Sequence, residues 1–169
     1  MEPIIAKNPR VKREPLLPFK DATNHFEIGI DEAGRGPLFG RVYVASVILP
    51  HPSLQSSDHC EHKPQQLQYG WMRDSKQIKS RKKIGELATY IKTNALAWHI
   101  HYADAHEVDS QGILNCVIRG MHICVDHIMD SFVSKTGFAL NQGFLLVDGN
   151  YFRPYTRFNN DTDTLEAVP

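Results

Sequence analysis

Phe26-Glu27-Ile28-Gly29-Ile30-Asp31-Glu32-Ala33-Gly34-Arg35-Gly36-Pro37 reads as a short strand that runs into two adjacent carboxylates and then a Gly-Arg-Gly turn. Ile28 and Ile30 alternate, as one face of a strand does. Repulsion between Asp31 and Glu32 costs energy unless a cation intervenes. Hard dications such as Mg2+ are held by such oxygen donors. Gly34 and Gly36 let backbone approach a ligand closely, and Arg35 offers a fixed positive fork. Acids for a metal, glycines for close approach and an arginine for phosphate point together to phosphodiester chemistry.

Working outward, residues 1–25 are proline-rich, basic and without periodicity, which reads as an extended basic arm ahead of a domain spanning 26–169. Val42 to Leu49 is a nearly unbroken apolar run stopped by Pro50, a second strand. The short Gly-rich link before it favours a hairpin. Residues 51–70 are rich in Ser, Gln, His and Pro and read as an exposed loop. Ile84, Leu87, Ala88 and Ile91 recur at helical spacing, with Ser80 as a cap.

Ala95 to Tyr102 alternates and reads as a third strand, with Leu96, Trp98, Ile100 and Tyr102 on its core face. A helical stripe follows from Ile113 through Leu114, Val117, Ile118, Met121, Val125, Ile128, Met129 and Phe132, closed by Gly137. Phe144 to Val147 is a fourth strand, and Asp148 stands at its tip. Strand, strand, helix, strand, helix, strand argues a mixed sheet with helices packed on it.

A chain of 169 residues makes one domain with room for a core. Its formal net charge of +0 announces no polyanion, so a nucleic-acid contact must come from a local patch. Two stretches qualify, Lys76 to Lys83 and the group Lys7, Arg10, Lys12 and Arg13, although either is also what a solvated face or tail looks like. Cys60, Cys116 and Cys124 form no Cys-x-x-Cys pair, and the latter two read as buried small hydrophobes. No apolar run is long enough to span a bilayer and no signal-peptide core opens the chain, so a cytoplasmic, reduced, monomeric protein without a membrane partner is expected.

Four stretches carry a resemblance. Asp31 to Leu38 followed by a Val-rich strand, Asp74-Ser75-Lys76, Glu107 to Ile113 leading into a helix with Gly120-Met121, and Leu146-Val147-Asp148-Gly149 resemble, in that order, motifs of the ribonuclease HII (type 2 ribonuclease H) family. The resemblance implies an α/β fold, a ribonuclease H-like mixed sheet flanked by helices. It implies Asp31, Glu32 and Asp148 as catalytic residues that hold Mg2+ or Mn2+. Gly34, Arg35 and Gly36 would contact the backbone around a ribonucleotide and sense its 2′-hydroxyl, and Lys76 would hold a phosphate. The implied substrates are RNA–DNA hybrids and ribonucleotides embedded in duplex DNA, cut by a metal-dependent endonuclease.

The residues themselves leave some readings open. If the first and last strands lie side by side and run the same way, Asp31 and Asp148 converge on one edge. Glu32 is then a third ligand from the turn, although adjacent strand residues point to opposite faces. Asp74-Ser75 also suits a helix cap, which is compatible with a phosphate contact by Lys76. Glu107 and Asp109 read as capping and orienting the long helix, and Asp126 and Asp130 as solvated. His99, His101, Asp104 and His106 make a weak zinc candidate without a cysteine to complete it. A dinucleotide-binding loop fits poorly: Gly34, Gly36 and Gly40 have the wrong spacing and a strand follows them.

In the family the chain continues where this sequence ends, with another catalytic aspartate and a sugar-packing tyrosine. Neither can be placed before Pro169, and Asp161 and Asp163 do not match. A catalytically impaired hybrid-binding fragment of the same fold is therefore the alternative expectation, with exposed apolar surface and poor cleavage.

Overall fold

The computed structural model describes residues 19–21, 23–37, 39–50, 67–72, 74–138, 142–149, 151–159 and 163–167. Most of the expected arm, most of the 51–70 loop, Cys60 and Asp161 lie outside the described residues.

Strands β1 (Phe26–Ala33), β2 (Val42–Ile48), β3 (Ala97–Ala103) and β4 (Gly143–Val147) form one sheet in the order β3-β2-β1-β4. β1 pairs antiparallel with β2 and parallel with β4, so the sheet is mixed. The α/β expectation holds. Helix α1 (Arg81–Asn94) links β2 to β3, and α2 (Ala105–Gln111) and α3 (Ile113–Thr136) link β3 to β4. A two-stranded hairpin, β5 (Thr156–Asn159) with β6 (Thr164–Ala167), forms a separate sheet. Among the described residues no helix is long and apolar enough to cross a membrane.

One face of the sheet packs against α3. Phe26, Ile28, Ile30, Val42, Val44 and Ile48 meet Cys116, Val117, Met121, Cys124, Val125, Ile128, Met129 and Phe132 in one buried cluster. Each such aliphatic or aromatic side chain contributes roughly 1.5–3 kcal/mol on removal from water. Both described cysteines are packing residues, and burial pushes the Cys124 thiol up to about 11. Leu114, expected in this stripe, is 42% exposed instead.

The Phe26 ring lies tilted against Phe132 (centroids 4.9 Å apart) and Phe138 (6.2 Å) and closes the core beside Gly143, the first residue of β4. A Cβ at Gly143 would lie 2.2 Å from the Phe26 ring, which its neighbours hold in place. Gly143→Ala is expected to cost about 2 kcal/mol by overpacking, read as a lowered urea midpoint. An unchanged midpoint would mean that the ring yields.

The third strand corrects the sequence reading. It starts at Ala97, so Leu96 lies outside it. Ala97 and Ala103 are buried and His99 and His101 half-buried, while Trp98, Ile100 and Tyr102 are 43%, 40% and 46% exposed. Alternation separates two faces without saying which is covered. Here the small and histidine face lies under α3, and the aromatic face joins Tyr43 on the open side of the sheet. Helix α1 does not seal that side: none of its residues is buried, and Ile84 is exposed despite its helical spacing.

His99 stacks flat on His127 of α3, ring centroids 4.1 Å apart. Desolvation, then His127 and His101, lowers the pKa of His99. Desolvation and Arg119 lower that of His101, against a smaller opposing effect of Glu107, and its buried Nε2 has no hydrogen-bond partner among the described residues. Bases depressed in the folded state bind fewer protons than in the unfolded chain, so stability falls as pH drops through the ordinary histidine range. The Tm is expected to decrease from about pH 7.5 to about pH 5.5, and less steeply in His99→Gln. Parallel curves for the two proteins would remove His99 from this account.

The long helix starts at Ile113, as expected; the short helix α2 before it was not foreseen, and Gly112, at φ 81°, separates the two. Asp104 caps α2 in a capping box with Glu107. Glu107 also pairs with Arg119 and so ties α2 to α3, while Asp109, expected to cap the long helix, lies inside α2. Asp126 is exposed but accepts a hydrogen bond from the buried Tyr155, so it is not simply solvated. Gly137 ends α3 at φ 70°, as expected.

Candidate active site

The parallel β1–β4 pairing decides where the acids go. Ile30 lies opposite Val147, and the Asp148 backbone N–H donates to the Ile30 carbonyl at 3.0 Å. The next positions are Asp31 and Asp148. In β1–β2, Asp31 lies opposite Ala45 and Glu32 opposite Val44. Val44 is buried toward α3, so Glu32 belongs to that face and Asp31 to the other. Asp31 and Asp148 accordingly line the same cleft of about 600 Å3, walled by Ala45, Val47, Ile91, Trp98 and Leu146.

The Asp31 pKa is raised, first by desolvation at this apolar wall and then by Asp148 and Glu32. A hydrogen bond of 2.7 Å from the Glu32 backbone N–H and the charge of Lys76 act in the opposite direction. Lys76 therefore sits in the electrostatic reach of the carboxylates. It lies on the 3-10 turn Ser75–Gln77, where the Asp74 side chain accepts the Lys76 N–H at 2.9 Å. Asp74 is a cap, of this turn rather than of α1; Ser80 caps α1.

Glu32 stands apart from the pair. Its carboxylate receives Arg35 Nη1 at 2.8 Å, so the fork expected for phosphate is here held by an acid. Among the described residues no three metal-ligating side chains gather at one point. His99 and His101 face α3 and Asp104 is spent on its cap, which separates that sequence cluster. Between the strands, Gly34 adopts φ +98° and packs against the Arg41 carbonyl, whereas a Cβ at Gly36 would meet nothing within 4 Å. Gly34 shapes the turn; Gly36 presents open backbone to solvent.

Sequence reasoning missed the apolar cleft beneath the acids. Its signal was the same Trp98-x-Ile100-x-Tyr102 alternation, assigned to the wrong face.

The ribonuclease HII family model matches residues 28–133, which span β1 to most of α3. The chain belongs to the ribonuclease HII family. It is 34% identical over 140 residues to a ribonuclease HII of Parabacteroides distasonis, covering 83% of this chain and 57% of that protein. It is 37% identical over 128 residues to that of Chlorobium phaeovibrioides, covering 76% of this chain and 53% of that protein. For Neisseria meningitidis serogroup A the values are 35% over 122 residues, 72% and 50%. The chain thus spans about half the length of the curated relatives it matches. As a ribonuclease HII family member it carries the expected α/β sheet with the first and fourth strands parallel, which places two motif acids together.

Proposed function

We propose that this chain supplies the metal-holding and substrate-sensing part of an endonuclease that cleaves the RNA strand of RNA–DNA hybrids and ribonucleotides embedded in duplex DNA. The observation that carries the reading is the convergence of Asp31 and Asp148 on one sheet face, at the rim of an open cleft. Mg2+ is commonly held by one or two carboxylates with water and substrate phosphate completing the shell, so this donor set fits Mg2+ or Mn2+. When bound, such an ion supplies a water of lowered pKa and counter-charge for the leaving oxygen.

The chain's own groups do the positioning. Asp31 and Asp148 orient the ion; Glu32, on the opposite face, acts through Arg35 unless its side chain turns. Lys76 holds a backbone phosphate beside the acids. The Gly34-Arg35-Gly36 backbone reads the ribose 2′-hydroxyl, the group that separates RNA from DNA. Cleavage leaves a 3′-hydroxyl and a 5′-phosphate.

A second reading is favoured by the same geometry. Two converging acids among the described residues, instead of three, fit a module that binds hybrid and cuts it poorly. Both are tested on a duplex containing one ribonucleotide, with an all-DNA control, in Mn2+ and in Mg2+. Cutting at the ribonucleotide supports the first reading. Preferential binding without cutting supports the second. Equal binding of both duplexes, uncut, overturns both.

A further inference from the structure

A second groove, of about 700 Å3, lies on a different face of α1 from the carboxylate cleft. Its walls include Trp71, Tyr90, Gln77, Lys79, Lys83 and Glu86. Trp71 is 62% exposed, far more than a packing tryptophan needs. Its ring leans against Tyr90, centroids 5.2 Å apart and planes tilted by 49°. Tyr90 is itself fixed, its hydroxyl accepting the Gln68 N–H at 3.0 Å. The tryptophan is thus a braced aromatic surface open to solvent.

The rim is cationic. Lys76, Lys79, Arg81, Lys82 and Lys83 fall within eight residues that contain no acid. Glu86 lines the groove but lies 3.9 Å from Lys82, which offsets its charge. Among the described residues Lys79 and Lys83 form no ion pair. Gln77, in the groove wall, directly follows Lys76, whose charge acts on Asp31. The groove therefore begins where the proposed substrate site ends. A braced aromatic ring with lysines beside it is how proteins track a nucleic-acid strand.

We propose that this groove carries the sugar–phosphate backbone of the strand leaving the carboxylate pair, with Lys79 and Lys83 on phosphates and the open face of Trp71 against a sugar. The proposal rests on the nucleic-acid reading of the active site but not on cleavage or on ribonucleotide sensing.

The test uses the whole chain without divalent metal. The protein has two tryptophans, so Trp98→Phe leaves Trp71 as the only indole. Titration with an all-DNA duplex is expected to change Trp71 emission. Trp71→Ala should weaken binding by about tenfold. Lys79→Gln with Lys83→Gln should reduce the slope of log K against log salt by roughly two. Polyglutamate is the control for an acidic polypeptide.

Duplex binding that leaves Trp71 emission and the salt slope unmoved overturns the groove while sparing the active-site reading. An emission change as large with polyglutamate also overturns it, in favour of an acidic protein partner. A shifted Trp71 and reduced slope without any preference for a ribonucleotide supports the groove and counts against the sensing turn.

Discussion

Asp31→Asn is expected to weaken Mn2+ binding by at least about tenfold, since even residues one step behind a metal ligand are worth that much. In any form of the chain that cuts, it should lower cleavage by about a thousandfold, or roughly 4 kcal/mol of transition-state stabilisation. Stability moves the other way. Asp31 is a carboxylate whose pKa is raised by desolvation, Asp148 and Glu32, so its charged form is less favourable folded than unfolded. Such a group costs stability above its unfolded pKa, and removing its charge leaves the metal-free protein as stable or slightly more so at neutral pH. Asp148→Asn should weaken Mn2+ binding and cleavage in the same way, because the two share one face. Calorimetric Mn2+ titration and thermal melts of the parent and both variants measure this. Unaltered Mn2+ affinity in both variants would sink the shared site, and a large loss of metal-free stability would make Asp31 a structural residue.

The acids were legible because strand tips are legible. Ile28 and Ile30 fix the phase of β1, Phe144 to Val147 mark β4, and a parallel pairing leaves Asp31 and Asp148 no other meeting place. The same phase argument already warned that Glu32 would point away, and it does, onto Arg35. What escaped was the side of the sheet that α3 covers. Trp98, Ile100 and Tyr102 are the more apolar set in β3, yet α3 comes down on Ala97, His99, His101 and Ala103. Hydrophobicity ranks faces only when both could be buried; here small residues and flat imidazoles admit a close helix. The hairpin of β5 and β6 was missed because each strand has four residues, too few for a pattern to stand out. Trp71 was missed because nothing in a single aromatic residue says that it is exposed.

Gly34 and Gly36 look equivalent in sequence and should separate in experiment. Gly34 sits at φ +98°, where an L side chain is strained, and a Cβ there would lie 2.5 Å from the Arg41 carbonyl oxygen, a backbone atom that cannot step aside. Strain of about 1–2 kcal/mol and the overpacking together put Gly34→Ala at about 3 kcal/mol of lost stability. Gly36 has no such constraint: its φ is not left-handed, and a Cβ would meet nothing within 4 Å. Gly36→Val is therefore expected to leave the Tm nearly unchanged. If its backbone approaches a ribose, the same substitution should weaken binding to a ribonucleotide-containing duplex by about tenfold or more, because the added carbons fill the space the sugar needs. Melts and duplex titrations on the two variants separate fold from recognition. A destabilised Gly36→Val would show that the turn is packed more tightly than its open surroundings indicate. A stable Gly36→Val that binds like the parent would remove this turn from ribonucleotide sensing and leave Asp31, Asp148 and Lys76 to hold the substrate without reading its sugar.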